Sequence, residues 1–134
     1  MQTYKYKSAL LVDDNFIDNM INQKILNNSD FAESIVVKQS CEAAINYLQE
    51  LVSNNQELPE IIFLDLSMPI MNGWQFLEEY TKLNPYIGKK ISIYICSSSI
   101  SQDDITRAKA INEVTDYIIK PIAKTKLIDL IKNL

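Results

Sequence analysis

Short apolar runs alternate with longer amphipathic segments along the whole sequence, and this alternation is the strongest constraint on the fold. Apolar runs that stop abruptly at a polar residue are typical of strands buried on both faces of a sheet. Strands that alternate with helices favour a parallel sheet with helices on each side. The predicted strands lie at residues 9–12, 34–38, 61–64, 91–96 and 117–119.

The segments after these strands carry apolar residues at helical spacing, which predicts five helices. The second helix has Ser40 as its N-cap candidate, and the fifth is expected at about residues 124–132. The apolar sides in chain order are Ile17, Ile21, Ile25 and Leu26; Ala44, Ile45, Leu48 and Leu51; Trp74, Phe76, Leu77 and Tyr80; Ile105, Ala108 and Ile111; and Leu127, Ile128 and Ile131.

Composition restricts both the size and the chemistry of the chain. Its 134 residues, 47% of them hydrophobic, fit one domain with a substantial core. A net charge of −4 argues against sequence-independent nucleic-acid binding, which needs a basic face. The absence of histidine excludes Ser-His-Asp and Cys-His nucleophile systems, histidine-ligated zinc sites and a phosphohistidine on this chain.

The cysteines and the first apolar run indicate the compartment. Cys41 and Cys96 form no C-x-x-C pair and cannot build a disulfide scaffold, so we expect a reducing cytoplasm. The apolar run at residues 9–12 is too short for a signal-peptide core or a membrane span. The sequence therefore predicts a cytoplasmic protein without membrane association.

Polar residues stand at the ends of four predicted strands, where the buried strand bodies stop. In an open parallel sheet, ligands bind outside the carboxyl ends of the strands, so these residues should converge at one edge. They are Asp13 and Asp14 after the first strand, Asp65 after the third, Ser97 after the fourth and Lys120 after the fifth.

Converging carboxylates need a counter-charge. Two unit charges about 4 Å apart repel by about 4 kcal/mol at an effective dielectric near 20. Mg²⁺ binds through one or two carboxylates and keeps other positions for water or phosphate oxygens, so it suits this group. With Lys120 and a Ser97 hydroxyl, the set meets the needs of a carboxylate nucleophile that attacks a phosphoryl group.

Each of these signals also has an ordinary structural explanation. A single Asp at a strand end is commonly a turn or N-cap residue, an isolated Lys-Pro is commonly a solvated turn, and a run of serines is commonly a loop. Their joint placement at four strand ends favours a functional site over these separate explanations.

The polar strand ends and their neighbours resemble the receiver domain of bacterial two-component response regulators. The resemblance rests on Leu11–Asp14, on Phe63–Pro69 with Gly73, on Cys96–Ser97 and on Tyr117–Pro121, and it covers essentially the whole chain. It implies an α/β, flavodoxin-like, doubly wound sheet of five parallel strands in the order 2-1-3-4-5 with five helices. It also implies a single receiver domain over residues 1–134 without an output domain.

The resemblance assigns a role to each strand-end residue. Asp65 corresponds to the phosphoacceptor, and Lys120 to the phosphate-binding lysine. Asp13 and Asp14 correspond to the acidic pair that holds Mg²⁺, together with Asp65 and the backbone carbonyl of Ser67.

The remaining family positions concern the hydroxyl and the switch. Ser97 corresponds to the hydroxyl residue that follows the phosphoryl group, and Tyr117 to the aromatic switch residue. Ser97 lies one residue further from Lys120 than is common in the family, so Ser98 stays an alternative for the hydroxyl role. The resemblance also implies a cis peptide bond before Pro121. Small residues at the family's variable positions, Ser67 and Ser99, predict slow to moderate autodephosphorylation.

The function implied by the resemblance is signalling, not enzymatic turnover of a substrate. A sensor histidine kinase or a phosphotransfer protein would supply the phosphoryl group from a phosphohistidine. The output would be a phosphorylation-dependent interaction with a downstream protein, or onward phosphorelay, without direct binding of nucleic acid. The chain would be a monomer or a phosphorylation-dependent dimer, and it would catalyse only its own phosphorylation and dephosphorylation.

Three other functions compete with this prediction. The first is a receiver-like interaction module that is not phosphorylated in use. The second is an aspartyl-phosphate phosphatase, but such an enzyme needs a second Asp where this chain has Ser67. The third is a flavodoxin-like flavin binder, but no Gly/Ser/Thr-rich phosphate loop follows the first strand, and Asp13 and Asp14 would repel a phosphate that lacked a metal.

Overall fold

The predicted apolar runs form the strands of a five-stranded sheet. The computed structural model describes residues 6–28, 30–66, 71–98 and 100–120. Its strands are β1 (Tyr6–Val12), β2 (Ala32–Lys38), β3 (Ile61–Leu64), β4 (Ser92–Ser97) and β5 (Val114–Ile119). Its helices are α1 (Phe16–Asn28), α2 (Cys41–Ser53), α3 (Gly73–Leu83) and α4 (Gln102–Lys109), with a short 3₁₀ turn at Asn84–Tyr86.

The strand order is β2-β1-β3-β4-β5, and neighbouring strands pair in parallel. This confirms the predicted fold class and sheet order. In the register, Val12 lies opposite Leu64, Leu64 opposite Ile95, and Ser97 opposite Ile119. The carboxyl ends of β1 and β3 are therefore level, those of β4 and β5 extend two residues further, and all four lie at one edge of the sheet. The predicted fifth helix lies outside the described residues.

Two strands begin three residues earlier than the sequence predicts. β1 starts at Tyr6 and β5 at Val114, in place of the predicted Ala9 and Tyr117. In each strand the first three residues are buried, exposed and half-buried in turn. They therefore lack the continuous apolar run by which the sequence marks the rest of the strand. They are strand residues because they pair with a neighbour, as Tyr6 does with Ala32.

The sheet separates two hydrophobic clusters. On one face, α2, α3 and α4 cover a core that includes Leu48, Phe76 and Ala108. On the other face, Leu26 of α1 packs against a smaller cluster. A row of aromatic rings crosses that smaller cluster, with centroid separations of 5.0 to 5.9 Å between successive members: Tyr6, Phe31, Phe63 and Tyr94.

The apolar side predicted for α1 is wrong at the start of the helix. Ile17 is 65% exposed and Ile21 is 44% exposed, although Leu26 near the end is fully buried. The side that faces the sheet presents Asn19 and Asn22 instead. The first two turns of α1 therefore direct polar side chains inward, and the reason lies in the site beside them.

The capping predicted for α2 is confirmed. The Ser40 side chain accepts a hydrogen bond from the Ala43 amide at 3.0 Å. α3 has a full capping box, in which the Asn72 and Gln75 side chains bond to each other's backbone amides. Within the described ranges, no helix has the length and apolar character that a membrane crossing requires.

Candidate functional site

Backbone hydrogen bonds at the carboxyl ends of the strands hold three of the predicted site residues. The Asp65 amide donates to the Val12 carbonyl at 2.9 Å, which continues the β1–β3 pairing past the last residue of β3. Likewise, the Asp13 amide donates to the Lys38 carbonyl at 3.1 Å. The Lys120 amide donates to the Ser97 carbonyl at 2.9 Å. The sheet itself therefore fixes the backbones of Asp13, Asp65 and Lys120.

Asp13, Asp14 and Asp65 form a cluster of carboxylates at this edge. One carboxylate oxygen from each lies within 4.8 Å of the other two. Asp13 and Asp65 are buried, whereas Asp14 is exposed. Oxygen donors that are close together, mutually repulsive and open to solvent on one side fit a hard divalent cation such as Mg²⁺.

Lys120 supplies the positive charge of the site. Its Nζ lies 2.5 Å from Asp13 Oδ2, 2.9 Å from Asp18 Oδ2 and 3.6 Å from Asp65 Oδ2. Burial lowers the pKa of Lys120, but hydrogen bonds to Asp13 and Asp18 and the charge of Asp65 raise it above the ordinary lysine value. The ammonium is therefore charged at neutral pH and held beside Asp65.

α1 and the residue that precedes it contribute three site residues that the sequence did not predict. The Asn15 amide donates to Asp13 Oδ1 at 2.9 Å, and Asn19 Nδ2 donates to the Asp13 carbonyl at 2.8 Å. Asp18 is the ion-pair partner of Lys120 described above. Its only signal in the sequence is an acidic residue in a first helical turn, which the helix dipole explains equally well.

The serines at the end of β4 differ in burial. Ser97 is buried at the last position of the strand, and Ser98 is exposed. Ser97 also shares a backbone hydrogen bond with Lys120, which places it at the same sheet edge as the carboxylates. This difference favours Ser97 over Ser98 for the hydroxyl role. Ser99 lies outside the described residues.

Of the remaining predicted positions, one lies in the core and two lie outside the described residues. Tyr117 is buried within the core that α2, α3 and α4 cover. Its ring therefore lies on the α4 side of the sheet. The Ser67 carbonyl and the peptide bond before Pro121 lie outside the described residues.

Gly73 lies against the backbone that carries Asp65. Its amide donates to the Leu66 carbonyl at 3.0 Å. A Cβ at this position would lie 2.8 Å from the Asp65 carbonyl oxygen and 2.8 Å from Leu66 Cα. Both distances are too short for a real contact, so only glycine lets α3 begin this close to the end of β3.

Cys96 is an unsuitable nucleophile despite its position next to Ser97. Burial raises the pKa of its thiol to about 12, and the positive charge of Lys120 offsets only part of that effect. At neutral pH the thiol is protonated, and the thiolate is the reactive form. The carboxylates are therefore better candidate nucleophiles at this edge than the Cys96 thiol.

Comparisons with known proteins agree with this geometry. The chain matches the model of the response regulator receiver domain over residues 9–132. A two-component response regulator from Cytophaga hutchinsonii has a solved structure that is 31% identical in sequence. The alignment covers 96% of this chain and 98% of that one, with a TM-score of 0.85.

Two cyanobacterial proteins are also similar. Response regulator Rcp1 of Synechocystis is 30% identical over 115 residues, which is 85% of this chain and 76% of Rcp1. The solved Mn²⁺-bound form of Rcp1 has a TM-score of 0.73 at 26% identity, covering 95% of this chain and 90% of that one. The phosphorylated phytochrome response regulator RcpA has a TM-score of 0.75 at 29% identity, covering 96% and 90%. The chain belongs to the response regulator receiver domain family.

Proposed function

We propose that this receiver domain accepts a phosphoryl group on the Asp65 carboxylate and signals by binding another protein in that state. The observation that carries the proposal is the contact between a buried acceptor and a fixed ammonium, with Lys120 Nζ 3.6 Å from Asp65 Oδ2. A carboxylate that is close to a cation-binding cluster and a lysine has the surroundings that phosphoryl transfer requires.

Asp13, Asp14 and Asp65 are the residues that would hold a Mg²⁺ ion, with the Ser67 carbonyl as a further proposed ligand. When bound, the ion would neutralise charge between the attacking carboxylate and the phosphoryl oxygens. The oxygen donors of the cluster fit this ion, and Rcp1, a similar protein, has been solved with bound Mn²⁺.

The proposed reaction is an in-line displacement at phosphorus. An Asp65 carboxylate oxygen forms the new P–O bond, and the P–N bond of a donor phosphohistidine breaks. The electron pair of that bond stays on the imidazole nitrogen of the donor. Lys120 binds one phosphoryl oxygen through its ammonium, and the Ser97 hydroxyl donates to another.

A phosphohistidine donor would lie outside these 134 residues, because they contain no histidine. We assign that role to a sensor histidine kinase or a phosphotransfer protein in the cytoplasm. The solved phosphorylated form of RcpA shows that a similar protein carries the modification. Output would be a phosphorylation-dependent interaction with a downstream protein, phosphorylation-dependent dimerisation or onward transfer, with no turnover of an external substrate.

The buried Tyr117 is the proposed switch. It lies in β5 on the α4 side of the sheet, three residues before Lys120. Movement of Lys120 or Ser97 toward a phosphoryl group would alter the packing of the adjoining strand ends. That change would reach Tyr117 and the surface of α4, where a partner would detect it.

Intact-mass spectrometry after incubation with acetyl phosphate and Mg²⁺ tests the proposal. Wild type should gain one phosphoryl unit, and Asp65→Asn should gain none. Asp103→Asn removes the same charge from an exposed position on α4 and should label like wild type. Equal labelling of Asp65→Asn would refute Asp65 as the acceptor, and an unlabelled wild type would favour an interaction module that is not phosphorylated.

A further inference from the structure

α1 adds a fourth carboxylate to the site and places it against Lys120. Asp18 Oδ2 lies 2.9 Å from Lys120 Nζ, which is a direct charge-assisted hydrogen bond. Asp18 does not belong to the cation-binding cluster, which consists of Asp13, Asp14 and Asp65 within the described residues. Its side chain is 36% exposed, whereas that of Lys120 is 11% exposed.

The loop between β1 and α1 fixes Asp18 and Asp13 together. The Asp18 amide donates to Asn15 Oδ1 at 2.9 Å, and the Asn15 amide donates to Asp13 Oδ1 at 2.9 Å. One residue, Asn15, therefore links the Asp13 carboxylate to the backbone of Asp18, and both aspartates contact the Lys120 ammonium. This arrangement keeps Asp18 near Nζ even though it lies on a helix and Asp13 lies at a strand end.

Cation binding would affect the Asp13 and Asp18 carboxylates differently. A lysine ammonium has three protons, and Asp13 and Asp18 engage two of them at hydrogen-bond distance. A cation held by Asp13 would draw on the same carboxylate and weaken its bond to Lys120. Asp18 stands outside the cluster and would keep its full charge for the lysine.

We infer that Asp18 is a positioning residue that holds the Lys120 ammonium beside Asp65 while Asp13 binds the cation. The inference rests on the proposed function of the site. Asp18 would keep its hydrogen bond to Lys120 when the cation binds. The third ammonium proton would then be available to a phosphoryl oxygen on Asp65. Without Asp18, Lys120 would keep its hydrogen bond to Asp13 and its longer contact with Asp65, and the cation would have to compete with Lys120 for Asp13.

The first test measures Mg²⁺ affinity by isothermal titration calorimetry, with Asp18→Asn in two backgrounds. In wild type, Asp18→Asn should weaken Mg²⁺ binding about three- to tenfold, because the ion must then displace Lys120 from Asp13. In Lys120→Met, the same substitution should change the affinity by less than about twofold. Equal losses in both backgrounds would mean that Asp18 acts as a distant charge, and the inference would be wrong.

Asp104→Asn is the matched control. Asp104 is the third residue of α4, as Asp18 is of α1, and its amide is capped by the Ser101 side chain. Both helices begin at the carboxyl edge of the sheet, so both substitutions remove one charge from a comparable helix start. Asp104→Asn should leave Mg²⁺ affinity within about twofold of wild type in both backgrounds.

The second test needs no substitution of Lys120. Acetic anhydride labels lysine amines, and peptide mass spectrometry gives the labelling rate at Lys120 in saturating Mg²⁺. Asp18→Asn should raise that rate severalfold, whereas Asp104→Asn should not. An unchanged rate in Asp18→Asn would overturn the inference. A wild type that binds Mg²⁺ but takes up no phosphoryl group would instead refute the proposed function, and both readouts would still decide the role of Asp18.

Discussion

The helices α1 and α2 have the same length of 13 residues but use their inner sides differently. Both follow a strand of the same sheet and both begin at its carboxyl edge. α2 buries apolar or weakly polar side chains along its whole inner side, whereas α1 buries two amides and one leucine. The buried residues are Cys41, Ala44, Ile45 and Leu48 in α2, and Asn19, Asn22 and Leu26 in α1.

The difference shows that α2 packs against the hydrophobic core, whereas the first turns of α1 make hydrogen bonds to the site. The first turns of α1 lie beside the carboxylate cluster, so Asn19 binds the Asp13 carbonyl and Asp18 binds Lys120. The hydrogen bond from Asn19 Nδ2 to the Asp13 carbonyl offsets part of the cost of burying this amide. The apolar residues of those turns consequently face outward, as Ile17 and Met20 do.

Removing the centre of the α2 inner side should have the largest effect on stability. Leu48 is fully buried in the main core, so Leu48→Ala should lower the free energy of unfolding by about 2–5 kcal/mol. Urea unfolding followed by circular dichroism measures this loss. Val52→Ala, at a half-buried position of the same helix, should cost clearly less. Equal losses would contradict the packing described for α2.

Removing the buried amide of α1 should have the next largest effect. Asn19→Ala deletes the hydrogen bond to the Asp13 carbonyl and leaves that carbonyl without this donor. We expect a loss of about 1–3 kcal/mol in urea unfolding. Asn28→Ala, at the exposed end of the same helix, is the control. If Asn19→Ala were as stable as wild type, the amide would not be what holds α1 at the site.

Alkaline pH should weaken the α2 side of the molecule. Burial, followed by the charges of Asp65 and Asp14, raises the pKa of the Cys41 thiol to about 12 from its ordinary value of 9.0. When the pKa of a group is higher in the folded state, its contribution to folding stability is fully present at pH values below its unfolded-state pKa. For Cys41 this contribution is lost as the pH rises from about 9 towards 12. The limiting slope is about 1.4 kcal/mol per pH unit for one group.

Urea midpoints of wild type and Cys41→Ala at a series of pH values test this alkaline loss. The variant should be less stable than wild type near neutral pH, because the substitution leaves a small cavity, but its stability should fall less steeply above pH 9. Identical slopes in the two proteins would show that Cys41 does not titrate on unfolding, and would assign the alkaline loss to other groups.

The smallest effect is expected on the outer side of α1. Ile17→Ala removes a side chain that is mostly exposed, so the free energy of unfolding should change by no more than about 0.5 kcal/mol. Leu26→Ala in the same helix, at a fully buried position, should instead resemble Leu48→Ala. A large loss in Ile17→Ala would mean that the inner and outer sides of α1 are assigned wrongly.

The sheet and the convergence of its polar ends were predictable because each depends on a local pattern. The apolar run at Ile61–Leu64 stops at Asp65, and parallel strands put all such stops at one edge. The chemical roles of Asp65, Lys120, Ser97 and Tyr117 remain predictions, although the first three lie together at this edge.

The inner side of α1 was not predictable, because it depends on a contact that the local sequence does not contain. The partner of Asp18 is Lys120, which lies 102 residues further along the chain. The isoleucine spacing in α1 predicts an inward apolar side only where the sheet edge beside the helix carries no polar groups. Here the acidic cluster and its lysine compete for that side, and hydrogen bonding decides the orientation of the first turns.

The close approach of Gly73 to the backbone that follows β3 has a consequence for mutational surveys of this protein. Position 73 bears no chemical group, yet any side chain there would push against the Asp65 carbonyl and the Leu66 Cα. A screen for signalling-dead variants would therefore recover substitutions at residue 73 as readily as losses of a reactive group. At this point the spacing between two backbones restricts the residue type as strictly as a chemical role would.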